Sequence, residues 1–206
     1  MSASILSMPI PQARQNAQAD PLAILMVRVA NQDQQALAEL YSHINRKIFA
    51  FALRHVDDRD LAEGIVVETM FEVWKNAARF SGGSSVSTWI LGIARHKALD
   101  EVRRRARFVP YDESTGMEIA DDAMSAHDQL AAEETRQQLD ACIKRLPLEQ
   151  QECIHLVFYQ DLSLADIARI QGIPENTVKT RLFHARRKLK ILLGRNACGL
   201  DDLVAH

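Results

Sequence analysis

Between Leu162 and Leu189 the chain reads LSLADIARIQGIPENTVKTRLFHARRKL. Ser163 followed by Asp166 is a capping-box arrangement that opens a short helix, and Leu164, Ile167 and Ala168 fall on its inward side. Gly172 stops that helix, Ile173 buries in the turn, and Pro174 stands where a new helix begins. In the second helix Val178, Leu182, Ala185 and Leu189 recur at helical spacing and point inward, which turns the basic residues outward. A short helix, a tight Gly-containing turn and a second, basic helix make a helix-turn-helix.

Working outward, Leu139, Cys142, Ile143 and Leu146 form one stripe that Pro147 ends, and Ile154 with the run Leu156–Tyr159 marks another helix. Residues 129–192 therefore read as a four-helix helix-turn-helix unit, winged-helix-like or homeodomain-like. Upstream, Leu37, Leu40, Tyr41, Ile44, Ile48, Phe51 and Ala52 recur at three and four, a buried stripe. Asp57–Asp60 interrupts it and can cap a helix running from about Asp60 to Arg79. Phe80-Ser81-Gly82-Gly83-Ser84-Ser85 is a loop by composition, and Ser87 can cap a helix through Trp89, Ile90, Ile93, Ala94, Ala98 and Val102. No segment alternates in the manner of a strand. The fold class is all-α: a domain over 21–107 and one over 129–192, joined by an acidic flexible linker over 108–128, with a disordered leader over 1–20 and a tail over 193–206.

Composition agrees. Of 206 residues, 47% are hydrophobic and 25% charged, which excludes a disordered, collagen-like or disulfide-dense chain. Cys142, Cys153 and Cys198 show no CxxC spacing and suit a reducing cytoplasm. No apolar run approaches the roughly 20 residues that span a bilayer, so membrane insertion is not expected. The formal net charge of -2 conceals segregation. Arg95, Lys97, Arg103, Arg104, Arg105 and Arg107 cluster at the end of one helix; Phe108 to Thr135 holds acids and no Lys or Arg; from Asn176 onward Lys179, Arg181, Arg186, Arg187, Lys188, Lys190 and Arg195 meet no acid before Asp201. A charge run alone is usually a solvated face, but two basic blocks that each end a helical segment point to nucleic acid.

Enzyme chemistry finds no support. The histidines are scattered without an HExxH, Glu63, Glu68 and Glu72 have no histidine at ligand spacing, and no phosphate loop or nucleophile motif occurs. No metal, cofactor or catalytic residue is expected. On the second basic helix, Lys179, Thr180, Phe183 and His184 share a face of the half that enters a major groove, where Lys and His can bond guanine, Thr either base type, and Phe a thymine methyl. Arg181, Arg186, Arg187, Lys188 and Lys190 then reach phosphates. Phe80 beside a Ser/Gly loop and an Arg-rich helix suits unstacked single-stranded bases. The helix Asp60–Arg79 has an apolar arc (Ala62, Val66, Val67, Met70, Phe71, Val73, Trp74, Ala77 and Ala78) wider than a surface helix needs. Part of it is reserved for a partner.

These two segments resemble a known family. Ala62–Arg105, AEGIVVETMFEVWKNAARFSGGSSVSTWILGIARHKALDEVRRR, is similar to region two of the extracytoplasmic-function (ECF) sigma factors, and Leu146–Leu189 to their region four. The resemblance implies an alternative sigma factor of the cytoplasm that binds core RNA polymerase and promoter DNA, and an anti-sigma factor that holds it inactive. It implies core-polymerase contact through Glu63, Val67, Glu68, Phe71 and Trp74. It implies −10 recognition through Phe80, Ser81, Ser84, Arg95, His96, Arg103 and Arg104, and −35 recognition through Thr177, Lys179, Thr180, Arg181, Phe183, His184 and Arg187. This chain departs from the family at Gly64, commonly Asp, and at Val67, commonly Gln. Region four alone also suits a helix-turn-helix regulator that acts without the polymerase; the Ala62–Arg105 segment separates the two. Taken by themselves, Trp74 and Trp89 read as core packing and Cys142 and Cys153 as small buried hydrophobes.

Overall fold

The computed structural model describes residues 21–108 and 137–196, with side chains from 21–107 and 137–194. The expectations for the leader, the acidic linker, the start of the second unit at Gln129 and Cys198 lie outside these residues. The described residues are helical throughout, with no strand among them, and the chain divides into two compact units.

The first unit comprises α1 (Pro21–Ala30), α2 (Gln34–Val56), α3 (Arg59–Asn76), a single 3-10 turn (Ala77–Arg79) and α4 (Val86–Phe108). The periodic stretch from Pro21 is two helices rather than one, because Gln32 turns through positive φ and Asp33 caps α2, accepting the Ala36 N–H at 3.1 Å. Arg28 Nε donates to the same carboxylate at 2.8 Å, fastening the end of α1 to the start of α2. Leu40, Ile44, Ile48, Phe51 and Ala52 are buried as the stripe predicts, but Tyr41 is 43% exposed; it lies one residue past the inward line. At the other end of α2, Asp57 takes the left-handed conformation and its N–H returns to Leu53 O. Asp58 then caps α3. Ala52, Val56, Ala62, Ile65 and Ala98 close the core where α2, α3 and α4 meet.

Arg105 locks this junction. Its guanidinium donates to Val56 O at 3.0 Å, one of the carbonyls left over at the end of α2, and to Asp58 Oδ2 at 3.2 Å. Asp58 thus serves both the α3 N-terminus and the last turns of α4. The cap of α4 is Ser85, not Ser87: the Thr88 N–H donates to Ser85 Oγ at 3.1 Å, starting the helix two residues earlier than the spacing suggests.

The second unit comprises α5 (residues 137–144), α6 (Leu148–Phe158), α7 (Leu164–Gln171) and α8 (Glu175–Asn196). Cys142, Ile143 and Leu146 are buried, with Cys153 in α6. The capping box is present: the Asp166 N–H donates to Ser163 Oγ at 3.1 Å and Ser163 Oγ donates to Asp166 Oδ2 at 2.6 Å. Gly172 sits at φ 67 between α7 and α8, a left-handed position that favours glycine. Val178, Leu182, Ala185 and Leu189 are all buried, and α8 continues four residues beyond 192. The described residues of this unit form four helices and no strand.

Gly64 stands inside α3 on the solvent side, and a Cβ built there meets nothing within 4 Å. Gly64→Ala is expected to stabilise the first unit by about 1 kcal/mol, because Gly costs a helix roughly that much relative to Ala. Thermal unfolding measures it; a lowered Tm would show that the backbone at 64 is not ordinary helix.

Candidate functional site

The broad apolar arc of α3 divides in two. Ala62, Ile65, Val66, Met70 and Val73 are buried against the core, while Val67 is 65% and Phe71 58% exposed. Gly64, Val67 and Phe71 lie at helical spacing on the solvent side, and Lys75 Nζ stands 4.8 Å over the Phe71 ring. Glu63 is exposed and paired with Arg59 at 3.2 Å; Glu68 is exposed, with Lys97 of α4 at 3.6 Å. Trp74 is half-buried, between the core and this face, and Ala78 is exposed. The result is an exposed apolar strip edged by carboxylates, on a helix capped at its N-terminus by Asp58.

The loop between the 3-10 turn and α4 places Ser81 in solvent and leaves Ser84 half-buried. The Phe80 and Trp89 rings pack with centroids 5.6 Å apart, so Phe80 is held by α4 rather than swinging free. His96 is exposed and Arg95 half-buried on α4. The arginine cluster is less uniform than its sequence suggests. Arg103 pairs with Asp100 at 3.2 Å, and Arg104 makes a two-pronged contact to Glu101, both bonds at 2.8 Å. Arg105 is a structural clasp. The two acids that interrupt the basic block therefore orient Arg103 and Arg104 along the helix surface.

On α8 the exposed residues form a ladder of adjacent pairs one turn apart: Glu175 and Asn176, Lys179 and Thr180, Phe183 and His184, Arg187 and Lys188. Phe183 is 63% exposed, its ring edge-on to His184. Thr177 and Arg181 are half-buried beside the ladder. Lys179 Nζ meets Glu175 Oε1 at 3.1 Å. Arg186, expected among the phosphate contacts, is instead half-buried with its guanidinium 5.6 Å over the Phe158 ring. The charge pattern could not separate it from Arg187 because both follow the same basic run. His184, Arg187 and Lys188 line a shallow groove of about 330 Å³ with Pro147, Gln150 and Ile191, which places His184 at the border of the cationic end. Among the described residues no group of three or more His, Cys, Asp or Glu could hold a metal ion.

Comparison with known proteins finds the same family in both units. The Sigma-70 region 2 family model matches residues 40–108 and the Sigma-70, region 4 model residues 136–189. The ECF RNA polymerase sigma factor SigK of Mycobacterium tuberculosis H37Rv is 32% identical over 177 residues, covering 82% of this chain and 91% of the relative. The ECF RNA polymerase sigma factor RpoE of Cereibacter sphaeroides is 28% identical over 172 residues, covering 83% and 93%. The solved structure of Bartonella quintana RpoE with its anti-sigma factor NepR aligns with TM-score 0.63 and 25% identity over 78% of this chain and 98% of that one. The chain belongs to the ECF sigma factors of the sigma-70 family. It is an alternative sigma factor, directing transcription initiation.

The α4 pairs carry a pH prediction. The Arg104 hydrogen bonds hold the Glu101 carboxyl below the ordinary glutamate value, and the Ala36 N–H, with Arg28, does the same for Asp33. Each folded-state value lies below its unfolded one, so the stabilisation is complete above about pH 5 and is lost as pH falls through the depressed values. Glu101→Gln is expected to lower the Tm of the first unit at pH 7 and to have less effect as pH drops below about 4. A Tm deficit that stays constant from pH 7 to 3 would show that the Glu101–Arg104 pair is not formed.

Proposed function

We propose that the sigma activity is divided between the two units, 21–107 for core polymerase and the −10 element and 129–192 for the −35 element. Val67 and Phe71, with Glu63, Glu68 and the exposed edge of Trp74, form the surface that docks on core RNA polymerase. The carrying observation is that Val67 and Phe71 are exposed together on one strip of a helix whose other face is packed against the core: an apolar strip rimmed by polar groups marks an interaction site. The loop Phe80–Ser84 and the α4 residues Arg95, His96, Arg103 and Arg104 hold the −10 element. Their support is position: an aromatic, small polar groups and cations follow one another along one unit, the combination that unstacked strands bind. Thr177, Lys179, Thr180, Arg181, Phe183, His184 and Arg187 form the −35 surface, supported by the exposed ladder of α8.

The protein works in the cytoplasm beside the polymerase, without catalysis of its own. No helix among the described residues is long and apolar enough to cross a membrane, and the related proteins are sigma factors rather than enzymes. An anti-sigma factor holds the chain when it is not needed, as one holds the Bartonella RpoE in its solved complex.

Phe71→Glu tests the docking surface. Burying a carboxylate in an apolar interface costs several kcal/mol, so affinity for core polymerase should fall about a hundredfold. The circular-dichroism melt should stay close to wild type, since Phe71 is 58% exposed and outside the buried core of the unit. Unchanged polymerase binding by the folded variant would move the interface off this face.

A further inference from the structure

The first turn of α8 carries a side chain that neither the helix nor its neighbours use. Pro174 precedes the helix and has no side-chain acceptor for the leading N–H groups; Thr177 N–H returns to Pro174 O at 2.9 Å. Asn176 is exposed on the turn before Lys179 and Thr180, and its side-chain amide faces solvent with no protein partner among the described residues. Its carbonyl is occupied: Thr180 Oγ donates to Asn176 O at 2.9 Å. A hydroxyl has one proton, so Thr180 has given its donor to the backbone and meets a base only as an acceptor. Lys179 is steadied by Glu175 one turn earlier. Of the four exposed groups nearest the N-terminus of α8, Asn176 alone offers an unengaged donor and acceptor side by side.

That pair is complementary to one base edge. Adenine presents N6–H₂ as donor and N7 as acceptor in the major groove, and an Asn amide meets both at once. The N-terminal residues of a recognition helix are the ones that approach base edges. We infer that Asn176 is a specificity-determining residue of this sigma factor, reading an adenine in the −35 element next to the base met by Lys179. Thr180 serves as a brace for the first turn and not as the adenine reader. This rests on the assignment of α8 to −35 recognition.

The test uses holoenzyme reconstituted from core polymerase and the full chain, transcribing a promoter library randomised across the −35 element, with the transcripts sequenced. Wild type should select adenine at one position within the element. Asn176→Ala should reduce that preference about tenfold while leaving the other positions selected, the size of one good two-pronged base contact. Asn176→Asp, which keeps only acceptors, should shift the same position toward cytosine, whose N4 is a donor. Adenine selection that survives Asn176→Ala overturns the inference; so does an equal loss at all positions, which would mark Asn176 as a helix-start residue. If wild type transcribes specifically but selects no base in the −35 element, the assignment of α8 fails, and the inference with it.

Discussion

The Arg105 guanidinium holds the end of α2, the start of α3 and the last turns of α4 at one point. A long side chain gives up considerable rotamer freedom to do this, and it satisfies two needs of the backbone in return: a leftover carbonyl at Val56 and a steady carboxylate at Asp58, whose other oxygen caps α3. With the three helix ends fixed, the rotation of α3 about its axis is decided by which residues reach the small core of Ala52, Val56, Ala62, Ile65 and Ala98. The residues left outside are Val67 and Phe71. The exposed strip is therefore a consequence of how α3 is held and packed, and α4, which carries the residues proposed for the −10 element, is tied to the same point by Arg105.

The second unit follows a different logic. Gly172 and the Ser163–Asp166 box set where α7 begins and α8 follows, and the buried line Val178, Leu182, Ala185 and Leu189 sets the rotation of α8. On the opposite side, residues 175/176, 179/180, 183/184 and 187/188 are presented to solvent in pairs one turn apart. Glu175, Asn176, Lys179 and Thr180 occupy the leading rungs, an aromatic and a histidine the middle, and cations alone the far end. Base edges ask for directional donors and acceptors, phosphates only for charge, so the order along the helix matches a helix that enters a groove by its N-terminus.

Helix positions and inward stripes were legible in the sequence because spacing and caps are local. The capping box, the all-α class and the inward line of α8 follow from neighbours within a turn or two. What escaped depended on contacts between distant residues or on competition among equivalent ones. Ser85 and Ser87 are equally able caps in isolation, and only the packing of buried Thr88 and Val86 selects Ser85. Arg105 reads as one more member of a basic cluster until the α2–α3 junction is brought to it. Arg186 reads as a phosphate contact until Phe158 is seen beneath it. The apolar excess of α3 was legible, but dividing that excess into buried Val66 and Met70 and exposed Val67 and Phe71 needed the rotation of the helix. Asn176 escaped because an uncharged residue adds nothing to a charge pattern.

Whether one chain supplies core polymerase with both promoter contacts is measured directly by transcription with purified core polymerase on fragmented bacterial DNA, with and without the chain, and sequencing of the transcript 5′ ends. New start sites should appear only with the chain, each preceded by two short motifs at a nearly constant spacing. Absence of chain-dependent starts, from a preparation that is folded and binds duplex DNA by itself, would contradict this.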